Sequence, residues 1–158
     1  MSPGADCAPA SALANARGLA PRLDWLNAVL LARLGRHFAQ PGDHPDPRAL
    51  KAPATDGDPS AFARLVDKHG FGWAEQLVLL LALAPHVRPE LLDPLFMRNA
   101  NIDRGFTEFG GWKGKAHTGF LPTGETAAFL AAGDDIGARS LVRQLFDHER
   151  PLDRKSVV

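Results

Sequence analysis

Residues 105–124 read Gly-Phe-Thr-Glu-Phe-Gly-Gly-Trp-Lys-Gly-Lys-Ala-His-Thr-Gly-Phe-Leu-Pro-Thr-Gly. This stretch holds six of the chain's fifteen glycines and four of its twelve Phe and Trp residues (nine Phe, three Trp). Glycine loses more backbone entropy on ordering than any other residue, so a dense run of it marks turns, bulges or close backbone approach. The aromatics between those turns need surfaces to pack against. The rest of the chain has helical periodicity, so one specially shaped element is set into a helical framework. Two short strands joined by a wide turn are expected over 105–122. The fold class expected is mainly α with a small β-hairpin (α+β), and the order helix, helix, hairpin fits a winged-helix-like helical domain.

The framework divides as follows. Residues 1–10 are small, Pro-containing and aperiodic, and read as a flexible N-terminal tail. A helical unit follows over 11–39. Pro21 suits a first turn, Leu23, Leu26, Leu30, Leu34 and Phe38 recur at helical spacing, and Arg33, Arg36 and His37 complement the negative end of the helix dipole. Residues 40–59 carry five prolines, two glycines and four aspartates, a composition that reads as a surface loop or linker.

Residues 60–150 form the second helical part. Asp58 or Ser60 caps a helix to about Lys68 that turns Phe62, Leu65 and Val66 inward. Trp73 to Ala84 is apolar nearly all round, the pattern of a central buried helix. Pro85 and Pro89 bracket a turn, and Pro89 opens a further helix ending near Arg98. After the glycine-aromatic element, Thr123 caps a helix through about Ala132. Asp134 or Asp135 caps the last helix, whose apolar side is Ile136, Leu141, Leu145 and Phe146. Residues 151–158 read as a C-terminal linker.

Eighteen basic and eighteen acidic residues cancel, so there is no electrostatic case for wrapping nucleic acid or coating an anionic membrane. A single cysteine, Cys7, excludes an internal disulfide framework and fits a reducing compartment. The N-terminus lacks a basic start followed by an apolar run, so it does not read as a secretory signal. The longest apolar run, Leu77 to Pro85, is far short of the ~20 residues that span a bilayer. A cytoplasmic domain is expected.

Two segments approach a phosphate-binding loop and fail its chemistry. Gly119 to Thr126 has the spacing, but Glu125 stands where the phosphate-neutralising lysine belongs. Gly110 to Lys115 is one residue short, and Ala116 replaces the metal-binding hydroxyl. None of the six histidines pairs with His, Cys or an acidic residue at a recognised zinc spacing. Asp43, His44 and Asp46 sit in a proline-rich loop that seldom holds ligands rigidly. His117 near Glu108 could form an acid-base pair, but no nucleophile or oxyanion site accompanies it, and a structural hydrogen bond is the better reading. Phe106, Phe109 and Phe120 read as core. Lys113, Lys115 and Trp112, with Arg98 and Arg104 upstream, form a small basic-aromatic cluster. Asp103 and Glu108 dilute its charge, and protein contact suits it better than a wing on DNA, because Trp and Arg are typical interface anchors.

The run from Leu83 to Asp135, about a third of the chain, carries motifs that point to a family. They are Ala84-Pro85-His86-Val87-Arg88-Pro89, Leu91-Leu92-Asp93, and Asp103-Arg104-Gly105-Phe106-Thr107-Glu108-Phe109-Gly110-Gly111. Lys113-Gly114, His117 and Gly119-Phe120-Leu121-Pro122-Thr123-Gly124-Glu125-Thr126 complete them. This run resembles the N-terminal region of AAA-type ATPases from gene clusters of contractile injection systems, which are phage-tail-like particles. The resemblance implies a non-catalytic domain that recruits a protein partner or substrate, with an ATPase module in cis. No catalytic residue, cofactor or metal is expected here; ATP and Mg would belong to the downstream module. The partner would be a component of the contractile particle, contacted by Arg104, Glu108, Trp112, Lys113, Lys115 and His117. A winged-helix nucleic-acid-binding module is the alternative, and a small enzyme using Glu108 and His117 ranks last.

Overall fold

A computed structural model describes residues 7–112 and 119–146, with helices dominant and one two-stranded antiparallel sheet. The α+β class expected from the sequence is therefore observed. The elements are α1 (Cys7–His37), α2 (Ala61–His69), α3 (Trp73–Val87), β1 (Arg98–Asn99), β2 (Arg104–Gly105), α4 (Gly124–Ala132) and α5 (Ile136–Arg143). Short 3-10 turns lie at Pro47–Ala49, Pro89–Phe96, Thr107–Phe109 and Gln144–Phe146.

α1 starts well before Pro21, which lies inside it. Residues 7–10, expected to belong to a tail, are helical as well. The cause is composition. Six alanines fall between residues 8 and 20, and alanine is the best helix former. Pro21 removes one donor, and the carbonyl that loses it belongs to Arg17, an exposed position. Leu23, Leu26, Val29, Leu30 and Leu34 then line the buried side, and packing of that side holds a helix that its proline would otherwise weaken.

A charged residue of α1 is buried too. Arg22 is 1% exposed. Its Nη1 donates to the carboxylate of Asp58 at 2.5 Å and to the carbonyl of Gly18 at 2.7 Å, while Nη2 donates to the carbonyl of Ala54 at 3.3 Å. The Phe62 ring lies under the guanidinium, 5.3 Å away. The 40–59 segment is thereby pinned along α1. Trp25 on α1 and Trp73 on α3 pin it again, each donating its indole N–H to the one carbonyl of Leu50 at 2.8 Å. Their rings meet edge to face at 5.5 Å. The loop thus runs over the surface as expected but is anchored to α1 and α3 at these points, and the two helical parts share one core.

α2 and α4 match their expected spans. Ser60 caps α2 by accepting from the Ala63 N–H. At α4, the Thr126 hydroxyl accepts from the Thr123 N–H at 3.0 Å, closing a capping box. α3 runs past Pro85 to Val87, and the turn expected there becomes the last turn of the helix. The helix expected after Pro89 is a 3-10 turn ending at Phe96. α5 begins after Asp135, which accepts from the Ala138 N–H. Its expected apolar side is corrected: Ile136 and Leu141 are exposed, Val142 is buried, and Leu145 and Phe146 just beyond the helix are partly buried. A short helix packed mainly on α4 cannot bury both ends of its apolar set.

Asp58 carries a pH signature. Its carboxyl is held below the usual aspartate range, chiefly because it accepts the Ser60 N–H at 2.9 Å and also because it accepts from Arg22. A lowered folded-state pKa means this contribution is complete above the unfolded value of about 3.9 and is lost as pH falls through the folded one. Asp58→Asn should destabilise the domain by about 3 kcal/mol at neutral pH, the low end for breaking a buried pair, because Asp58 keeps partial solvent access. Urea titrations should show a lowered midpoint for Asp58→Asn and little change for the exposed Asp56→Asn. The difference between wild type and Asp58→Asn should shrink below about pH 4. A difference independent of pH would show that the carboxylate's charge is not what matters.

Candidate functional site

The glycine-aromatic element is built in three steps. β1 and β2 pair in register Arg98 with Gly105 and Asn99 with Arg104. The sheet thus lies upstream of the 105–122 hairpin expected from the sequence. A 3-10 turn follows at Thr107–Phe109. Then Gly110 and Gly111 take φ of +63° and +92°, a conformation that stops an extended strand and strains any other residue. One rung of the expected hairpin survives: Trp112 and Leu121 form an antiparallel bridge, with N–H to carbonyl distances of 2.7 and 3.2 Å.

The two glycines let the backbone sit against the start of α4. The Gly111 N–H donates to the Thr123 hydroxyl at 3.1 Å. A Cβ on Gly110 would stand 2.7 Å from both the Thr123 Oγ1 and the Glu125 Cβ. A Cβ on Gly111 would stand 2.2 Å from the Phe120 ring. Phe109 is 1% exposed and leans on Phe129 of α4, with ring centroids 4.7 Å apart. Phe106 and Phe38 pack beside it, and Phe120 is buried. All three phenylalanines expected in the core pack there.

The six residues assigned to partner contact separate. Arg104 is exposed on β2. Trp112 is 70% exposed, although its backbone is locked by the bridge to Leu121. Glu108 is directed inward instead: its Oε1 lies 3.0 Å from Nε2 of His37, at the end of α1. That carboxylate pairs with His37 across seventy-one residues of sequence, a pairing the sequence spacing gives no hint of. His37 also lies 3.7 Å from Asp134 and is packed edge-on against Phe38 and Phe129. The pair ties α1 to the glycine-aromatic element. Lys113, Lys115 and His117 lie outside the described residues.

Other exposed apolar side chains lie in the segment that leads into the element. Phe96 packs on Phe120 with centroids 5.5 Å apart and is still 39% exposed. Met97 follows it, and Ile102 in the β1–β2 turn is 54% exposed. Arg98 donates to the carboxylate of Asp103 within that same turn, so its charge is internally matched.

The other sequence candidates resolve structurally. Glu125, the misfit of the phosphate-loop spacing, accepts from Arg139 at 3.3 Å and Arg143 at 2.6 Å and so ties α4 to α5. His44 packs its ring on Gly35 of α1, and Asp46 caps the Pro47–Ala49 turn. Among the described residues, no group of three or more His, Cys, Asp or Glu is placed to hold a metal. No described helix is long and apolar enough to cross a membrane. A concavity of about 400 Å³ that sequence reading missed lies between α1, α5 and the 40–59 segment, with Arg33, Arg36 and Arg48 on its wall. Helical spacing joins the first two arginines, but only the Leu50 and Arg22 anchors bring the third beside them.

No protein-family model matches the chain, and no curated protein or solved structure is significantly similar to it.

Two of the positive-φ glycines, Gly111 and Gly57, predict a graded outcome. Gly111→Ala should cost about 3 kcal/mol, combining left-handed strain with the clash on Phe120. Gly57 has φ of +71° and open space around its Cβ position, so Gly57→Ala should cost only about 1 kcal/mol. Thermal melts of both variants measure the gap, and equal losses would mean that the Phe120 contact plays no part.

Proposed function

We propose that this domain is a non-catalytic recruitment module. Its contact face is the outer side of the glycine-aromatic element and the adjoining sheet, with Trp112 and Arg104 as anchors and Phe96, Met97 and Ile102 around them. The observation that carries this reading is the exposure of Trp112. A large aromatic held out at 70% exposure on a locked backbone is the arrangement of an interface anchor with little backbone entropy left to lose on binding. Lys113, Lys115 and His117 continue the same segment and extend the contact. Glu108 serves it indirectly, by fixing the segment to His37.

The partner class rests on the family resemblance: a component of a contractile injection particle, recruited for assembly or remodelling by an ATPase module in cis. ATP and Mg would act in that module. The neutral net charge argues for a protein partner over the winged-helix nucleic-acid reading, and so does the Arg98–Asp103 pair, which removes one of the few cations a wing would offer.

Surface plasmon resonance of the immobilised domain against purified contractile particles tests this. Trp112→Ala should weaken binding about thirtyfold, the size expected for an interface hot spot, with an unchanged melting midpoint. A large fall in the midpoint would place Trp112 among the fold's own contacts and sink the assignment. Binding of duplex DNA at low salt, falling steeply as salt rises, would favour the nucleic-acid module instead.

A further inference from the structure

The arginine-walled cleft involves none of the residues assigned to recruitment. Its basic wall is Arg33 and Arg36 of α1 with Arg48 of the 3-10 turn; its apolar wall is Leu141 and Val142 of α5 with Leu145 beyond it. Each guanidinium is held from behind. Arg33 donates Nε to the carbonyl of Leu130 and Nη2 to that of Ala131, both at 3.1 Å, at the end of α4. Arg36 donates Nη1 to the carbonyl of His44 at 3.1 Å. Arg48 lies over the Trp73 ring at 4.4 Å. All four contacts are to carbonyls or a ring, and none of these guanidiniums forms an ion pair with a described residue.

Two carboxylates do line the cleft, but both are engaged. Asp46 accepts from the Arg48 backbone N–H at 3.0 Å, and Asp135 from that of Ala138 at 2.9 Å. They cap the helices behind them. Arg33 carries the cost of burial. Its guanidinium is held below the usual arginine range, chiefly by that burial, while attraction from Asp46 and Asp134 opposes repulsion from Arg36 and Arg48. A carboxylate brought into the cleft would place a further opposite charge beside it. Opposite, Leu141 is 65% exposed.

We propose that this cleft binds an acidic peptide segment that also carries apolar side chains, its carboxylates on Arg36, Arg48 and Arg33 and its apolar side on Leu141, Val142 and Leu145. The two unlike walls select the occupant. A free phosphate would match the arginines and leave the leucines bare. A nucleic acid would meet an apolar wall and a protein with no net positive charge to attract it. An amphipathic acidic segment meets both walls, and guanidinium–carboxylate geometry supplies the directional bonds. The volume of about 400 Å³ accommodates a few side chains of such a segment, not a whole folded domain.

Fluorescence anisotropy provides the test, with a labelled helical peptide bearing Glu along one face and Leu along the other. Two companion peptides replace Glu by Gln or Leu by Ala. The Glu/Leu peptide should bind at least about tenfold more tightly than either companion. Arg36→Glu, at an exposed position whose one side-chain contact is a backbone carbonyl, should remove that preference, and a peptide with Lys in place of Glu should recover binding to Arg36→Glu alone. Leu141→Ser should weaken the Glu/Leu peptide without affecting its sensitivity to charge. Equal binding of the Glu and Gln peptides overturns the proposal. So does inorganic phosphate binding as tightly as the peptide, which would make this a simple anion site, or duplex DNA displacing the peptide more effectively than the unlabelled peptide does.

Discussion

Arg22 sits inside the core, 1% exposed, and the domain is organised around giving its guanidinium partners. A buried guanidinium without a partner costs several kcal/mol, so the 40–59 segment must pass where Asp58 and the Ala54 carbonyl can reach it. That requirement fixes the course of a proline- and aspartate-rich stretch that otherwise stays largely in solvent, tying it to α1 and α3. Once there, its Leu50 carbonyl is placed to accept from Trp25 and Trp73 together, and Arg48 is placed on the Trp73 ring. The position of Gly18 belongs to the same arrangement: a Cβ there would stand 2.4 Å from Ser60, so α1 approaches the start of α2 as closely as a bare backbone allows.

α1 works as a spine because its polar residues reach different parts of the chain. Arg22 holds the loop, Arg33 takes the last carbonyls of α4, and His37 takes Glu108 of the glycine-aromatic element. α4 is held at both ends in consequence. Its final carbonyls would otherwise lack donors; Arg33 serves Leu130 and Ala131 and Arg139 serves Gly133. Cations at that end also meet the negative pole of the helix. At its start, the capping threonines receive Gly111 and close on themselves. Positioning of the surface element is therefore set by the α4 N-terminus and the α1 C-terminus jointly, not by the two-residue strands.

Much of this was legible in the residues, wherever a local rule had no competitor. Ser60 and Thr123 as caps, the buried stripe of α3 and the inward Phe109 and Phe120 follow from short-range chemistry. Pro21 misleads because a proline compatible with a first turn is also tolerated inside a helix when alanines precede it and leucines pack after it. Ile136 and Leu141 mislead because periodicity identifies an apolar side without saying whether anything lies opposite. The Glu108–His37 pair and the gathering of Arg33, Arg36 and Arg48 were beyond reach for one shared reason: each joins positions whose proximity depends on how the 40–59 segment and the glycine-aromatic element fold back on α1.

The glycine-rich signature itself has a structural cause. Gly110 and Gly111 are required by contact with Thr123, Glu125 and Phe120, Phe109 by the core under α4, and Glu108 by His37. Each would be needed if the element bound nothing at all. Trp112 is different. Its backbone pairs with Leu121, a role any non-proline residue fills, while its indole remains 70% in solvent. An indole left in water forgoes the burial that makes aromatic side chains stabilising, so folding gives no reason for a tryptophan at this position. Subtracting what the fold demands from the unusual stretch thus leaves one described side chain whose chemistry is unspent, the Trp112 indole.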